Sequence, residues 1–242
     1  MESLKILGVR IDKVNMESAI LKIKEFLEGD SAKSVFTPNS EIIYMAKDDE
    51  VFKETLNNSD LNTADGIGVV YASKILGNPV EGSVAGYDIA CALLPYLNEI
   101  KAKLFLFGGK PGVGEKAKEA ILKDYPDIDI CGVENGYFGD DDSKIIESIN
   151  SKEPDVVFVC LGAPKQEKWI DKNKSTLKTK VLMGIGGSLD VFAGEAKRAP
   201  KFFIKLNIEW LYRLLKNPSR IGRMMALPKF GFAVIKSKRG TK

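Results

Sequence analysis

The absence of histidine decides which residues could move a proton in this chain. None of the 242 residues is a histidine, which excludes a Ser-His-Asp triad and imidazole metal ligands. The strongest candidate for a general base is Asp65, because it follows a short apolar segment typical of a strand and precedes Gly66. A positioned carboxylate base typically contributes about 10² to 10⁴ in rate. The alternative is that Asp65 caps the following helix.

Two further segments place polar or glycine residues at the ends of predicted strands. Thr37 and Asn39 end one strand, and three glycines lie among residues 184–187 after the last strand. Glycine lets a backbone approach a ligand closely. We therefore expect Gly186 and Gly187 to contact a nucleotide, although a tight turn between strand and helix would also use them.

Another glycine segment has a spacing that argues against a dinucleotide site. Gly109, Gly112 and Gly114 follow the pattern G-x-x-G-x-G instead of G-x-G-x-x-G. A turn into a helix N-terminus can hold phosphate through backbone N–H groups, and a plain tight connection explains the glycines at least as well. A nicotinamide-dependent oxidoreductase therefore stays only as an alternative.

Two acidic clusters superficially resemble carboxylate pairs that hold a divalent cation. Residues 140–142 open a predicted helix, where acids stabilise the first turn, and residues 127–129 border a strand of edge character. We expect both clusters to be solvated and predict no metal site and no cofactor. Cationic groups must then stabilise a departing phosphate.

An α/β fold would bring these segments together. Short β-branched or aromatic runs alternate with amphipathic segments of helix length, which predicts a mostly parallel sheet with helices on both faces. Ligands of such sheets bind beyond the carboxyl ends of the strands, so the segments above should share one edge. The predicted strands are residues 4–9, 34–37, 61–64, 103–107, 128–133, 156–161 and 180–184.

Charge is divided unevenly along the chain. Residues 197–242 hold 13 Lys or Arg and a single acid, whereas residues 1–196 hold 23 basic and 32 acidic residues. The basic part is also apolar and aromatic, which favours a lipid surface. We predict a catalytic domain of residues 1–196 and a basic, amphipathic, membrane-associating helical appendage of residues 197–242, which Pro218 and Pro228 divide into two helices and a basic end.

The same features predict where the protein works. Three unclustered cysteines fit a reducing cytoplasm, and the sequence has no uninterrupted apolar stretch of the length of a membrane span. We expect a cytoplasmic protein that is peripheral on the inner face of the cell membrane, with self-association that covers the apolar tail away from the membrane. A non-enzymatic module that binds nucleic acid fits less well, because the aromatic residues are mixed with aliphatic ones.

Several short motifs extend over nearly the whole chain. They are TPNSE at 37–41, ADGIG at 64–68, VAGYD at 84–88, GYF at 136–138, LGAPKQEKW at 161–169, GIGGSLD at 184–190, FAG at 192–194, RAP at 198–200 and EWLYRL at 209–214, with Pro218 and Arg220. In this order and spacing they resemble the WecG/TagA/CpsF glycosyltransferases. The resemblance implies a Rossmann-like body, metal-independent transfer with inversion, and an appendage that meets the membrane.

The tail is most similar to the branch of this family that acts in wall teichoic acid synthesis. That similarity implies transfer of N-acetylmannosamine (ManNAc) from UDP-ManNAc to undecaprenyl-diphosphate-GlcNAc through a β-1,4 link. The alternative within the family is a related UDP-sugar transferase of capsule or common-antigen synthesis. The implied partners are these two substrates and an anionic membrane surface, and no nucleic acid.

The resemblance also implies roles for individual residues of the body. Asp65 matches the base, and Thr37 and Asn39 match polar residues of the pocket, so that Asp65 and Thr37 form the predicted catalytic pair. Gln166 and Asp190 fall in motifs that face the nucleotide sugar.

Tail arginines and one departure complete the prediction. Arg213, Arg220 and Arg223 are candidates to neutralise the leaving diphosphate or to grip the lipid diphosphate, because guanidinium pairs bidentately with phosphate; general attraction to lipid headgroups is the alternative. The family commonly has Arg immediately before Val-Ala-Gly, where this chain has Ser83. Another cation must take the place of that Arg, or the donor differs.

Overall fold

A computed structural model describes residues 1–139, 141–200, 202–203, 209–216 and 225–240. The strands are β1 (Ser3–Ile6), β2 (Val9–Asp12), β3 (Lys33–Phe36), β4 (Leu61–Asn62), β5 (Lys103–Gly108), β6 (Asp129–Glu134), β7 (Val156–Cys160) and β8 (Val181–Gly184). The helices are α1 (Met16–Leu27), α2 (Ser40–Ala46), α3 (Glu50–Asn57), α4 (Ile67–Ile75), α5 (Gly86–Glu99), α6 (Val113–Asp124), α7 (Ser143–Lys152), α8 (Lys165–Asn173), α9 (Ser188–Phe192), α10 (Glu209–Lys216) and α11 (Ala226–Gly240).

The centre of the fold is a six-stranded sheet in the order β4-β3-β8-β7-β5-β6. Every pairing in this sheet is parallel, and one apolar cluster packs on each face. All five residues of β7 are buried, as expected for a strand covered on both sides. The predicted α/β class, with a parallel sheet between helices, is therefore confirmed, and all six strands end at one edge.

The N-terminal strand prediction is wrong in one respect. Residues 4–9 do not form one strand, because β1 and β2 pair as an antiparallel hairpin with Ile6 opposite Val9. The turn places both Leu7 (φ 50°) and Gly8 (φ 88°) in the left-handed region, which is the geometry of a two-residue hairpin turn. Leucine is an unusual residue for such a turn, so residue types at positions 7 and 8 did not indicate a hairpin.

The C-terminal helix α11 packs on the body. It contacts α2 and α4, and Phe230 and Val234 are 3% and 0% exposed within the apolar cluster on that face. The prediction that Pro228 separates a helix from a basic end is wrong, since Pro228 is the third residue of α11. The first turn of a helix tolerates proline because its N–H groups have no partner within the helix.

Candidate active site

Asp65 lies in a segment that is fixed to its neighbours by backbone hydrogen bonds at the carboxyl edge. Its N–H donates to the carbonyl of Pro38 at 3.4 Å, in the segment after β3. The adjoining chain is tied more tightly, because the N–H of Val84 donates to the Ala64 carbonyl and the Thr63 hydroxyl donates to the Val84 carbonyl, both at 2.7 Å. The segments after β3 and β4 and the segment before α5 therefore form one unit around Asp65.

The residue after Asp65 explains the entry into α4. Gly66 is the N-cap of α4, with φ 85°, a backbone conformation that favours glycine. Its N–H donates to the Ser83 hydroxyl oxygen at 2.8 Å. The alternative role of Asp65 as the N-cap is therefore wrong, since the capping position belongs to Gly66.

Thr37 lies where three segments of the edge meet. It is 8% exposed, and a Cβ built on Gly86 would lie 2.9 Å from its Oγ1 and 3.4 Å from the Cα of Ile185. Such a contact is closer than real Cβ atoms tolerate, so the approach of α5 to Thr37 requires a glycine. Gly86 was not among the predicted site residues, although it lies inside the VAGYD motif.

Asn39 supports the start of α2. Its Oδ1 accepts hydrogen bonds from the N–H groups of Glu41 and Ile42 at 2.9 and 3.0 Å, which is the interaction of an N-cap asparagine. The side chain is half-buried. Its oxygen is thus committed to the helix, and any substrate contact by Asn39 would use the amide nitrogen.

Gln166 is hydrogen-bonded to the glycine segment after β8, residues 184–187. Its Oε1 accepts a hydrogen bond from the Gly186 N–H at 3.0 Å, and its Nε2 donates to Glu167 Oε1 at 2.8 Å. The side chain is 4% exposed, and a Cβ on Gly184 would lie 3.2 Å from Nε2. Both polar ends of Gln166 therefore bind protein groups in this structure.

The segment after β8 presents backbone and one carboxylate at the edge. Gly186 has φ 57°, and Gly187 is exposed at the start of α9. Asp190 lies in the first turn of α9, and its Oδ2 would be 3.5 Å from a Cβ on Gly187. The structure thus brings the predicted residues Gly186, Gly187 and Asp190 together.

Packing accounts for the other glycine segment. A Cβ on Gly108 would lie 2.3 Å from the Cys160 carbonyl oxygen, and one on Gly114 would lie 2.4 Å from Val133 Cγ1. Gly112 is the left-handed N-cap of α6. Since Gly109 and Gly112 adopt positive φ and Gly114 packs against Val133, the dinucleotide interpretation has no support beyond the spacing.

Glu167 is a buried carboxyl group that the sequence did not indicate. It is 2% exposed, and this burial raises its pKa above the usual value of 4.5, while the hydrogen bond from Gln166 acts in the opposite direction. Within the described part of the chain, Oε2 has no hydrogen-bond partner. Burial therefore penalises the ionised form of Glu167, and its carboxyl group is connected to the site through Gln166.

Arg198 is held against the first turn of α5 by two contacts. Its guanidinium pairs with Asp88 Oδ1 at 2.5 Å and lies 5.0 Å from the centre of the Tyr87 ring. Tyr87 in turn packs against Phe192, with the ring centres 5.1 Å apart. Arg198 thus attaches the chain after α9 to the first turn of α5.

The tail arginines cannot be placed in this geometry. Arg220 and Arg223 lie outside the described residues, as does the side chain of Arg213, whose backbone belongs to α10. None of the helices in the described ranges combines the length and apolar character that crossing a bilayer demands.

The two acidic clusters differ in burial. Asp142 is 8% exposed and accepts hydrogen bonds from the side chains of Lys172 and Asn173. Burial raises the pKa of Asp142, but the bonds from Asn173 and Lys172 outweigh burial, so that the pKa is lowered overall. Asp129 is exposed. The expectation that Asp142 is solvated is thus wrong, and the described residues hold no cluster of three or more potential metal ligands.

Comparison with known proteins gives one consistent result. The family described as "Glycosyl transferase WecG/TagA/CpsF family" matches residues 4–242. A protein of Staphylococcus aureus (strain MRSA252) is 39% identical over 98% of this chain and 94% of its own length. Proteins of Bacillus spizizenii (strain W23) and Bacillus subtilis (strain 168) are each 38% identical, over 89% and 90% of this chain and 84% and 85% of their own lengths. All three are named N-acetylglucosaminyldiphosphoundecaprenol N-acetyl-beta-D-mannosaminyltransferase.

Proposed function

Since the chain belongs to the WecG/TagA/CpsF glycosyltransferase family, we propose that it transfers ManNAc from UDP-ManNAc to undecaprenyl-diphosphate-GlcNAc in wall teichoic acid synthesis. The acceptor and the sugar are those in the names of relatives that are 38% to 39% identical over at least 89% of this chain. The observation that carries the proposal is the placement of Asp65 at the carboxyl edge, in a segment bonded to Pro38 and Val84.

Asp65 is the general base of the proposed reaction. An acceptor hydroxyl of GlcNAc gives its proton to the Asp65 carboxylate while its oxygen attacks the anomeric carbon of ManNAc. The bond from that carbon to the UDP oxygen breaks on the opposite face, which inverts the configuration and gives a β-1,4 link. Thr37 lies on the neighbouring segment against Gly86, where its hydroxyl can orient a sugar oxygen.

Backbone and cationic groups stabilise the departing UDP. Gly187 offers its N–H group at the start of α9, whereas the Gly186 N–H is bonded to Gln166, which holds the segment in place. In this proposal the reaction needs no metal ion, because the arginines of residues 197–242 neutralise the negative charge of the diphosphate.

The placement of α11 supports a role for Arg223 in particular. A Leu227 methyl group would lie 3.8 Å from a Cβ on Gly68, so α11 starts beside the segment that contains Asp65. Arg223 precedes this helix in the sequence, so we propose that it contacts a diphosphate, with Arg213 and Arg220 as further candidates.

Residues 197–242 act in this proposal as an appendage on the inner membrane surface. α11 packs through Phe230 and Val234, whereas Phe232 is 75% exposed and Ile235 is 41% exposed. Lys229 and Lys236 are also exposed, and Phe232 lies three residues from one and four from the other, on the same side of the helix. Exposed aromatic and basic residues on one side are typical of a helix that lies in a membrane interface.

The proposal is tested by a screen of UDP-sugars with a short-chain polyprenyl-diphosphate-GlcNAc as acceptor. We expect product with UDP-ManNAc, with a β-1,4 linkage in the product and with turnover retained in EDTA. Turnover only with a different UDP-sugar would contradict this proposal and support a transferase of capsule or common-antigen synthesis. Ser83 stands where the family commonly has Arg, so UDP-GlcNAc and UDP-glucose belong in the screen.

A further inference from the structure

The Ser83 hydroxyl contacts the one peptide group that links the candidate base to the helix after it. The N–H of Gly66 belongs to the peptide bond between Asp65 and Gly66, and it donates to Ser83 Oγ at 2.8 Å. The preceding peptide group is tied separately, because the Asp65 N–H donates to the Pro38 carbonyl at 3.4 Å. The backbone of Asp65 is thus held on both sides, and the shorter of the two bonds comes from Ser83.

Hydrogen bonds of the neighbouring residue Val84 hold the backbone next to Ser83. Val84 follows Ser83 directly, is 1% exposed, and is bonded to Ala64 and Thr63 at 2.7 Å each. The backbone beside Ser83 is therefore held to the segment after β4 by bonds of Val84, whereas the Ser83 side chain is itself exposed. Gly66 has a φ of 85°, and glycine has wide conformational freedom. Without the bond to Ser83, the peptide between Asp65 and Gly66 could therefore rotate more easily.

We infer that Ser83 is a positioning residue, whose hydroxyl orients the Asp65–Gly66 peptide and thereby aims the Asp65 carboxylate at the acceptor hydroxyl. The inference rests on the proposed function. Misplacement of a catalytic group by about 1 Å can cost about 10² in rate, so a single backbone bond at this point matters for turnover.

The matched comparison uses two serines that each accept one backbone N–H. Ser73, near the far end of α4, accepts from the Val80 N–H at 3.0 Å, and it serves as the control. We expect Ser83→Ala to lower kcat about tenfold with KM for the UDP-sugar within twofold, and Ser83→Thr to restore kcat to within threefold. Ser73→Ala should lower thermal stability at least as much as Ser83→Ala while leaving kcat within twofold.

A second readout does not depend on turnover. Amide hydrogen exchange followed by NMR should show the Gly66 N–H protected in the wild type and in Ser83→Thr, with at least tenfold faster exchange in Ser83→Ala. Ser83→Arg should resemble Ser83→Ala in both assays, because guanidinium has no acceptor for the Gly66 N–H.

The outcomes separate this inference from the proposed function. Wild-type turnover with an unchanged kcat in Ser83→Ala, or a rise in KM alone, would overturn the positioning role and leave the proposed function standing. Equal loss of kcat in Ser73→Ala would show a general stability effect and would also overturn it. Absence of product from the wild-type protein would overturn the proposed function and, with it, this inference.

Discussion

The Oε1 atom of Gln166 accepts a hydrogen bond from the backbone N–H of Gly186 at 3.0 Å, across the boundary between the segments after β7 and β8. The same side chain donates to Glu167, so one buried amide connects an exposed glycine segment to a buried carboxyl group. Gln166 thereby shapes the surface that we propose for the nucleotide without having to contact the nucleotide itself.

Replacement of this amide should change both stability and donor binding. In Gln166→Leu the half-buried Gly186 N–H and the buried Glu167 Oε1 lose their partner, and an unsatisfied buried group costs about 1 to 3 kcal/mol. We expect a loss of unfolding free energy of that order in urea denaturation and at least a fivefold rise in KM for the UDP-sugar.

A control for this variant is available at the opposite edge of the sheet. Asn150 also makes two bridging bonds, from Nδ2 to the Thr176 carbonyl and from the Lys178 N–H to Oδ1. Asn150→Leu should lose stability and keep its KM. An unchanged KM in Gln166→Leu would contradict the role of Gln166 in shaping the donor site.

Glu167 predicts a pH dependence of stability. Burial raises its pKa in the folded state above the usual 4.5, so between 4.5 and the raised pKa the folded protein binds the proton that the unfolded chain has lost. Unfolding free energy from this group therefore falls as pH rises through that window, with a slope of at most about 1.4 kcal/mol per pH unit. Glu167→Gln should remove the decline.

The measurement is urea denaturation of both proteins between pH 5 and pH 8. We expect the stability of Glu167→Gln relative to the wild type to increase with pH. Glu54→Gln, at an exposed position, is the control for the replacement of one Glu by Gln without a change in a buried group. A difference that shrinks as pH rises would contradict the raised pKa of Glu167.

Much of this structure could be predicted from the sequence, and the failures have physical reasons. The continuous apolar residues of β7 indicated a doubly covered parallel strand, and the positions of Thr37 and Asp65 followed from the rule that the ends of parallel strands share an edge. The hairpin at Leu7 was missed because leucine seldom adopts positive φ. Gln166 bonds to Gly186 and Ser83 bonds to Gly66. Hydrophobic periodicity describes single helices and strands, so it does not predict which distant segments come into contact.

Two phenylalanines of α11 separate attachment of the helix from membrane binding. Phe230 is 3% exposed and Phe232 is 75% exposed. Truncation of a buried phenylalanine costs about 3 to 5 kcal/mol, so Phe230→Ala should release α11 and speed its proteolysis and amide exchange. Phe232→Ala should keep stability within about 0.5 kcal/mol and bind less well to vesicles that contain anionic lipid.

The pair of variants is its own control, because each removes the same side chain from the same helix. Sedimentation with vesicles of phosphatidylglycerol and phosphatidylcholine measures the binding. Equal vesicle binding by Phe232→Ala and the wild type would contradict the proposal that this side of α11 meets the membrane.

The central claim is that Asp65 takes the proton from the acceptor during sugar transfer, and Asp65→Asn tests it most directly. The measurement is the rate of transfer of ManNAc from UDP-ManNAc to a short-chain polyprenyl-diphosphate-GlcNAc, with UDP-sugar affinity determined in parallel and the exposed Asp48→Asn as control. We predict a loss of about 10² to 10⁴ in kcat with donor affinity within threefold of the wild type. Turnover of Asp65→Asn near the wild-type rate would contradict the account.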